Sequence, residues 1–123
     1  MLKDNFYTII DFRKEENIVH AEIELNEQHE IFKGHFPNQP VVPGVCWMQI
    51  AKEILTYSLN KKLFLNHADD IKFLKMHNPN EQKNMEVKIN YSLEKNDIIN
   101  ANIIFQKEDT IYCKIRCSLS FSE

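Results

Sequence analysis

Apolar and polar residues alternate over several long stretches of the chain. In residues 18–25, Val19, Ala21, Ile23 and Leu25 share one face, and His20, Glu22 and Glu24 share the other. A period of two predicts a strand with one buried face. From Met85 to Leu93 the pattern returns, with Val87, Ile89, Tyr91 and Leu93 opposite Lys88, Asn90 and Ser92. Ile99, Ala101, Ile103 and Phe105 repeat it. So do Ile111, Cys113, Ile115, Cys117, Leu119 and Phe121, against Tyr112, Lys114, Arg116, Ser118 and Ser120. Short polar turns at Glu94–Asp97 and Lys107–Asp109 separate the last three strands, which predicts antiparallel hairpins. Phe6–Phe12 and Ile71–His77 complete the set as shorter strands.

One segment breaks this rhythm. Val45 to Leu59 contains no Gly or Pro, and its apolar residues (Val45, Trp47, Met48, Ile50, Ala51, Ile54, Leu55, Leu59) cover most of a helix circumference. That spread predicts a helix buried on most sides. Pro43 and Gly44 just before it suit a helix N-terminus. Two strands, a buried helix and four more strands define an α+β architecture. A helix buried all round must be wrapped by the sheet or wedged between sheets.

Composition narrows the function classes. At 123 residues and 43% hydrophobic content the chain reads as one domain, residues 1–123. Burial is limited at this length, so a second subunit would help. The net charge of −3, from 18 acidic and 15 basic residues, leaves no clustered basic footprint for nucleic acid. No apolar run approaches the roughly 20 residues of a membrane span. The start, Met1-Leu2-Lys3-Asp4, lacks the apolar region of a secretory signal, which predicts a cytoplasmic protein. Cys113 and Cys117 lie about 13 Å apart at strand rise, beyond the about 7 Å a disulfide spans. With Cys46 they read as reduced thiols, and no Cys or His spacing suggests a metal.

The chain has only 2 Gly and 4 Pro, and Gly34, Pro37, Pro40, Pro43 and Gly44 crowd into residues 34–44. The window reads Gly34-His35-Phe36-Pro37-Asn38-Gln39-Pro40-Val41-Val42-Pro43-Gly44-Val45. It resembles the G-H-F-P-x-x-P-x-x-P-G-V signature of the hotdog-fold 3-hydroxyacyl-acyl-carrier-protein dehydratases. All eight specified positions match. Ile71-Lys72-Phe73 and Pro79 resemble that family's strand after the helix. Asn38 stands where a Gly is frequent, and Asn tolerates left-handed backbone. The family's usual leading helical segment with its His-Arg-x-Pro stretch is absent from the N-terminus. The resemblance implies a hotdog fold, a curved antiparallel sheet wrapped around one long central helix. It implies a homodimer or higher homo-oligomer with sheets joined edge to edge, and a 3-hydroxyacyl thioester substrate on carrier protein or CoA. No metal or redox cofactor is implied.

Dehydration removes a proton from C2 and hydroxide from C3. An imidazole is a suitable base for the first step, and His35 is the candidate. The thioester oxygen gains charge as C2 is deprotonated. N–H groups at a helix start stabilise such charge, and Gly44 and Val45 would supply them. Phe36, Pro43, Trp47 and Met48 are candidate acyl-lining residues, although aromatic and Met residues on a buried helix also serve as core. In the family an acid stands four residues past the Pro-Gly-Val valine and faces the partner protomer's histidine. Here that position is Gln49, and a carboxylate follows one turn later at Glu53. An amide orients a hydrogen bond but supplies no proton.

Three readings follow: Glu53 replaces the acid, through a water; the chain pairs as a heterodimer with a Glu-bearing paralogue; or it binds acyl thioesters without dehydrating them. A hotdog thioesterase is the enzyme rival, with Glu53 as its helix carboxylate. The plain alternative makes Gln49 a satisfied polar group and Glu53 a solvated one. Lys61, Lys62, Lys72 and Lys75 are either a patch for an acidic carrier or solvated charges, and His29, His67 and His77 read as surface or turn residues.

Overall fold

The computed structural model describes residues 2–34, 42–79 and 82–121. His35 and Phe36, with the rest of residues 35–41, lie outside the described residues. The elements in chain order are β1 (Tyr7–Glu15), β2 (Ile18–Leu25), α1 (Ile31–Gly34), α2 (Gly44–Leu59), β3 (Leu63–Phe73), β4 (Asn84–Leu93), β5 (Ile98–Lys107) and β6 (Thr110–Phe121). The strands form one six-stranded sheet in the order β1-β2-β4-β5-β6-β3. Every pairing is antiparallel. The expected β4–β5 and β5–β6 hairpins are present, with Ile103 opposite Ile89 on one side and Ile115 on the other.

Alternation sorts residues to the two faces as the sequence implies. Val19, Ile23, Ile89, Ile99, Phe105, Cys113 and Leu119 are all buried in one core. Trp47, Ile50, Ala51, Ile54 and Leu55 of α2 enter the same core. Burying an aliphatic side chain of this size contributes about 1.5–3 kcal/mol, so these helix residues pin α2 to the sheet. The chain spends neither glycine on its hairpins. Glu16, Asn60, Asn96, Asp97 and Glu108 instead take positive φ at turns and at the end of α2. Such backbone costs about 1–2 kcal/mol for an ordinary residue, less for Asn and Asp.

Two expectations change. First, α2 is not buried on most sides: Val45 is 80% exposed, and Met48, Gln49 and Lys52 are half-buried. Second, the strand after the helix begins at Leu63, well before Ile71, and ends at Phe73. It is an edge strand, exposed along nearly its whole length and broken by bulges between Leu65 and His67 and between Ala68 and Asp70. Leu65, Ala68, Ile71 and Phe73 pair with the buried β6 residues Leu119, Cys117, Ile115 and Cys113. They therefore point to the core side of the sheet, yet nothing among the described residues covers them. Val45 and Met48 of α2 border the same uncovered strip.

Candidate functional site

The site is built where residues 42–45 enter α2. Pro43 occupies the N-cap in extended conformation, and no side chain caps the helix. The first-turn N–H groups of a helix have no intrahelical acceptor, so those of Gly44 and Val45 are available to a ligand. The Val42 N–H donates to the His77 carbonyl at 3.0 Å, tying the end of the Pro-rich segment to the segment that follows β3.

Two cavities meet at this point. A groove of about 570 Å³ is lined by Gly44, Val45, Met48, Gln49, Lys52, Leu65, Ile71 and Phe73. A second cavity, of about 360 Å³, includes Pro43, Gly44, Trp47, Phe73 and His77 in its wall. Gly44 and Phe73 belong to both. A Cβ on Gly44 would stand 2.8 Å from the tip of the Phe73 ring, so only glycine lets that ring close on the helix start. Phe73 is itself 57% exposed and has room to swing. Of the sequence candidates, Pro43, Gly44, Val45, Trp47 and Gln49 thus come together around these two spaces. Trp47 also packs on Phe105 at 4.6 Å between ring centroids, so it is core and cavity wall at once.

Glu53 lies elsewhere. It is 4% exposed and is not among the groove-lining residues. Its Oε2 accepts from the Leu2 N–H at 2.8 Å and the Gln49 amide Nε2–H at 2.7 Å. Its Oε1 accepts from the Lys3 N–H at 2.7 Å and the Tyr7 hydroxyl at 3.0 Å. Burial raises its pKa, but the four donors outweigh burial and hold it below the ordinary glutamate value. The Tyr7 hydroxyl is pushed far up, by burial first and by the adjacent carboxylate second. Glu53 is thus neither solvated nor protonated. Sequence spacing alone showed the Gln49–Glu53 pairing but carried no signal that the chain start would cover it.

His77 departs from the surface reading. It is 2% exposed, contacts the Trp47 and Tyr112 rings, and shares a hydrogen at 2.5 Å between Nε2 and the Gln82 carbonyl. A carbonyl only accepts, so Nε2 carries the proton. Nδ1 is buried without a partner among the described residues. Burial lowers its pKa from 6.5 to about 4. The neutral form is favoured by folding, so its contribution is complete above pH 6.5 and is lost as pH falls toward 4. Urea denaturation between pH 7.5 and 5 is expected to show falling stability, approaching about 2 kcal/mol lost at pH 5. A His77→Phe variant should lose most of that slope. His67, by contrast, is exposed beside Asp69 at 3.1 Å, and His29 accepts the Ile31 N–H at 3.0 Å.

Three of the four lysine candidates have local partners. Lys72 pairs with Asp70 at 3.7 Å, and Lys61 and Lys75 sit over the rings of Phe121 and Tyr112. All three cysteines are free and buried, and burial raises the Cys113 and Cys117 thiols to about 12 and about 11. No helix among the described residues is long and apolar enough to cross a membrane.

A long helix packed on a six-stranded antiparallel sheet, with the helix start opening into two cavities, defines a class by fold: the hotdog type. The fold is shared with a subunit of the dehydratase heterocomplex ApeI:P from Xenorhabdus doucetiae, at a TM-score of 0.73 and 20% identity, covering 91% of this chain and 96% of that one. A family model described as ApeI-like, ApeI dehydratase, matches residues 11–116, and the chain belongs to that family. Among curated relatives, the 3-hydroxyacyl-acyl-carrier-protein dehydratase FabZ of Buchnera aphidicola subsp. Acyrthosiphon pisum (strain Tuc7) is 36% identical over 73% of this chain. The chain spans 63% of that relative's length. The FabZ of Halorhodospira halophila is 28% identical, with 90% of this chain and 78% of the relative aligned.

Proposed function

We propose that the chain catalyses the reversible dehydration of 3-hydroxyacyl thioesters, on carrier protein or CoA, to trans-2-enoyl thioesters. The observation that carries this reading is the helix start: the motif segment ends at uncapped Gly44 and Val45 N–H groups that open into the groove. The FabZ relatives and the family match support the same chemistry. His35 takes the C2 proton. The thioester oxygen, gaining charge, is held by the Gly44 and Val45 N–H groups. The C3–O bond breaks, and the electron pair from C2–H forms the C2–C3 double bond. Gln49 holds the 3-hydroxyl. Gln49 has no acidic proton, and Glu53 is an ionised carboxylate occupied by four donors. The His35 imidazolium therefore returns its proton to the departing oxygen, and water leaves. The closed position of Glu53 also argues against a thioesterase, since it leaves no carboxylate among the described lining residues of the groove.

The working form in this reading is a dimer joined through β3, with the sheet curling around α2 in each copy. The support is the strip of Leu65, Ile71, Phe73 and Val45, which is apolar and uncovered although it faces the core side. An Ile71→Asp variant is expected to run as a monomer in light scattering, with at least about tenfold lower activity, because a charge cannot be buried unpaired at such a seam. The buried, reduced cysteines fit a cytoplasmic setting.

A second reading is favoured by Gln49 together with the heterocomplex named for the neighbouring structure. Here the chain is one subunit of a heteromer, and a Glu-bearing paralogue supplies the acid. One assay separates the two. The purified chain is given enoyl- and 3-hydroxyacyl-thioesters, and hydration, dehydration and free thiol are followed. Turnover by the chain alone supports the first reading. Silence relieved by the paralogue supports the second, and thiol release contradicts both.

A further inference from the structure

We propose that Glu53 is a positioning residue whose task is to fix which way round the Gln49 side-chain amide stands, so that the groove presents a hydrogen-bond acceptor to an O–H group of its ligand. The inference rests on the proposed dehydration and names the part of the site that selects the hydroxyl. A glutamine amide has two nearly isosteric orientations, one leading with NH2 and one with C=O. At Gln49 the choice is forced. The neighbouring Glu53 Oε2 is 2.7 Å from Nε2, and an ionised carboxylate accepts hydrogen bonds but donates none. Turning the amide over would set its oxygen against a buried carboxylate oxygen and forfeit a charge-assisted bond.

Glu53 cannot move away to allow this. Its remaining capacity is filled by Leu2, Lys3 and Tyr7, so the segment before β1 and the first residue of β1 clamp it. The four-residue spacing stacks Gln49 and Glu53 on consecutive turns of one helix face. With the amide nitrogen tied back to Glu53, the carbonyl oxygen Oε1 is the atom Gln49 offers to the groove it lines. An acceptor in a groove lined mainly by apolar side chains rewards a ligand that brings an O–H and penalises one that leaves the acceptor unpaired. The 3-hydroxyl of the acyl chain, and the attacking water of the reverse reaction, both bring one. A helix carboxylate that merely anchored the N-terminal segment would have no reason to be bonded to an amide that lines the groove.

The test is a double-mutant cycle with a spectroscopic readout. Glu53→Gln replaces the acceptor-only group by one that tolerates either amide orientation, and is expected to lower kcat/KM for enoyl-thioester hydration about tenfold. Gln49→Ala should lower it at least as much. In the Gln49→Ala background, Glu53→Gln should then cost little more, because its route of action is gone. Equal losses in both backgrounds would overturn the inference and leave Glu53 a purely structural anchor. The side-chain amide resonances of Gln49, assigned by difference against Gln49→Ala, report independently of turnover. In the unaltered protein one Nε2–H should be shifted downfield and slow to exchange with solvent. An Nε2–H pair resembling free glutamine would contradict the proposal whether or not the enzyme is active, while absent turnover beside a protected amide would count against the catalytic reading alone.

Discussion

His35→Ala is expected to lower enoyl-thioester hydration by about 10²–10⁴-fold, the range for losing a general acid–base group, with little change in melting temperature. The groove supplies no substitute. Among its described lining residues only Lys52 is ionisable, and an ammonium that is already protonated at neutral pH takes no proton from C2. In the neighbouring cavity, His77 has a buried Nδ1 and an Nε2 proton committed to Gln82. In the proposed scheme the imidazole of the motif therefore carries the step. In the single-base scheme it acts twice, as base toward C2 and then as acid toward the leaving oxygen, so one substitution removes both transfers. The pH dependence of kcat/KM should accordingly show one ionisation near neutrality on its acid side. Retention of more than a tenth of the activity in His35→Ala would move the base elsewhere.

Glu53→Ala is expected to have the largest effect on stability, about 3 kcal/mol, or a melting temperature lower by about 10 °C. The substitution removes one acceptor group and strands four donors, those of Leu2, Lys3, Tyr7 and Gln49. The Tyr7 hydroxyl is the costliest, since the residue is 1% exposed and water cannot replace its partner. A solvated helix carboxylate would cost less than about 0.5 kcal/mol on the same substitution, so thermal melts distinguish the two directly.

The sheet was legible wherever one face met the core and the other met water, because period-two alternation is the imprint of that asymmetry. β2, β4, β5 and β6 all carry it. β3 does not, for a physical reason: it is an edge strand, exposed on both faces in the single chain and twice bulged, so Asn66, His67, Asp69 and Asp70 show no alternation. Its inward residues have no cover among the described residues, and the proposed dimer would supply one. The same absence misled the reading of α2. Val45 and Met48 are apolar, as a buried helix demands, but Val45 is exposed on the uncovered strip, and Met48 borders that strip while packing only partly on the core.

The site was legible at Pro43, Gly44 and Val45, where backbone chemistry dictates residue type. It was less so at Glu53 and His77. The environment of each is set largely by segments distant in sequence, Leu2 to Tyr7 for one and Trp47 and Tyr112 for the other. A titratable group alone does not announce what will bury it. The Gly and Pro cluster did mark where the backbone had to be shaped, and the contact of Gly44 with the Phe73 ring shows one reason why.

The most direct measurement is proton exchange at C2. The purified chain is incubated in deuterium oxide with a trans-2-enoyl thioester, and the product is analysed by mass spectrometry. Abstraction and return of a C2 proton by His35 predicts a 3-hydroxyacyl thioester carrying one deuterium on C2, with the thioester intact and the label absent in His35→Ala. Free thiol without label at C2, or no product from the chain under any assembly, would contradict the account.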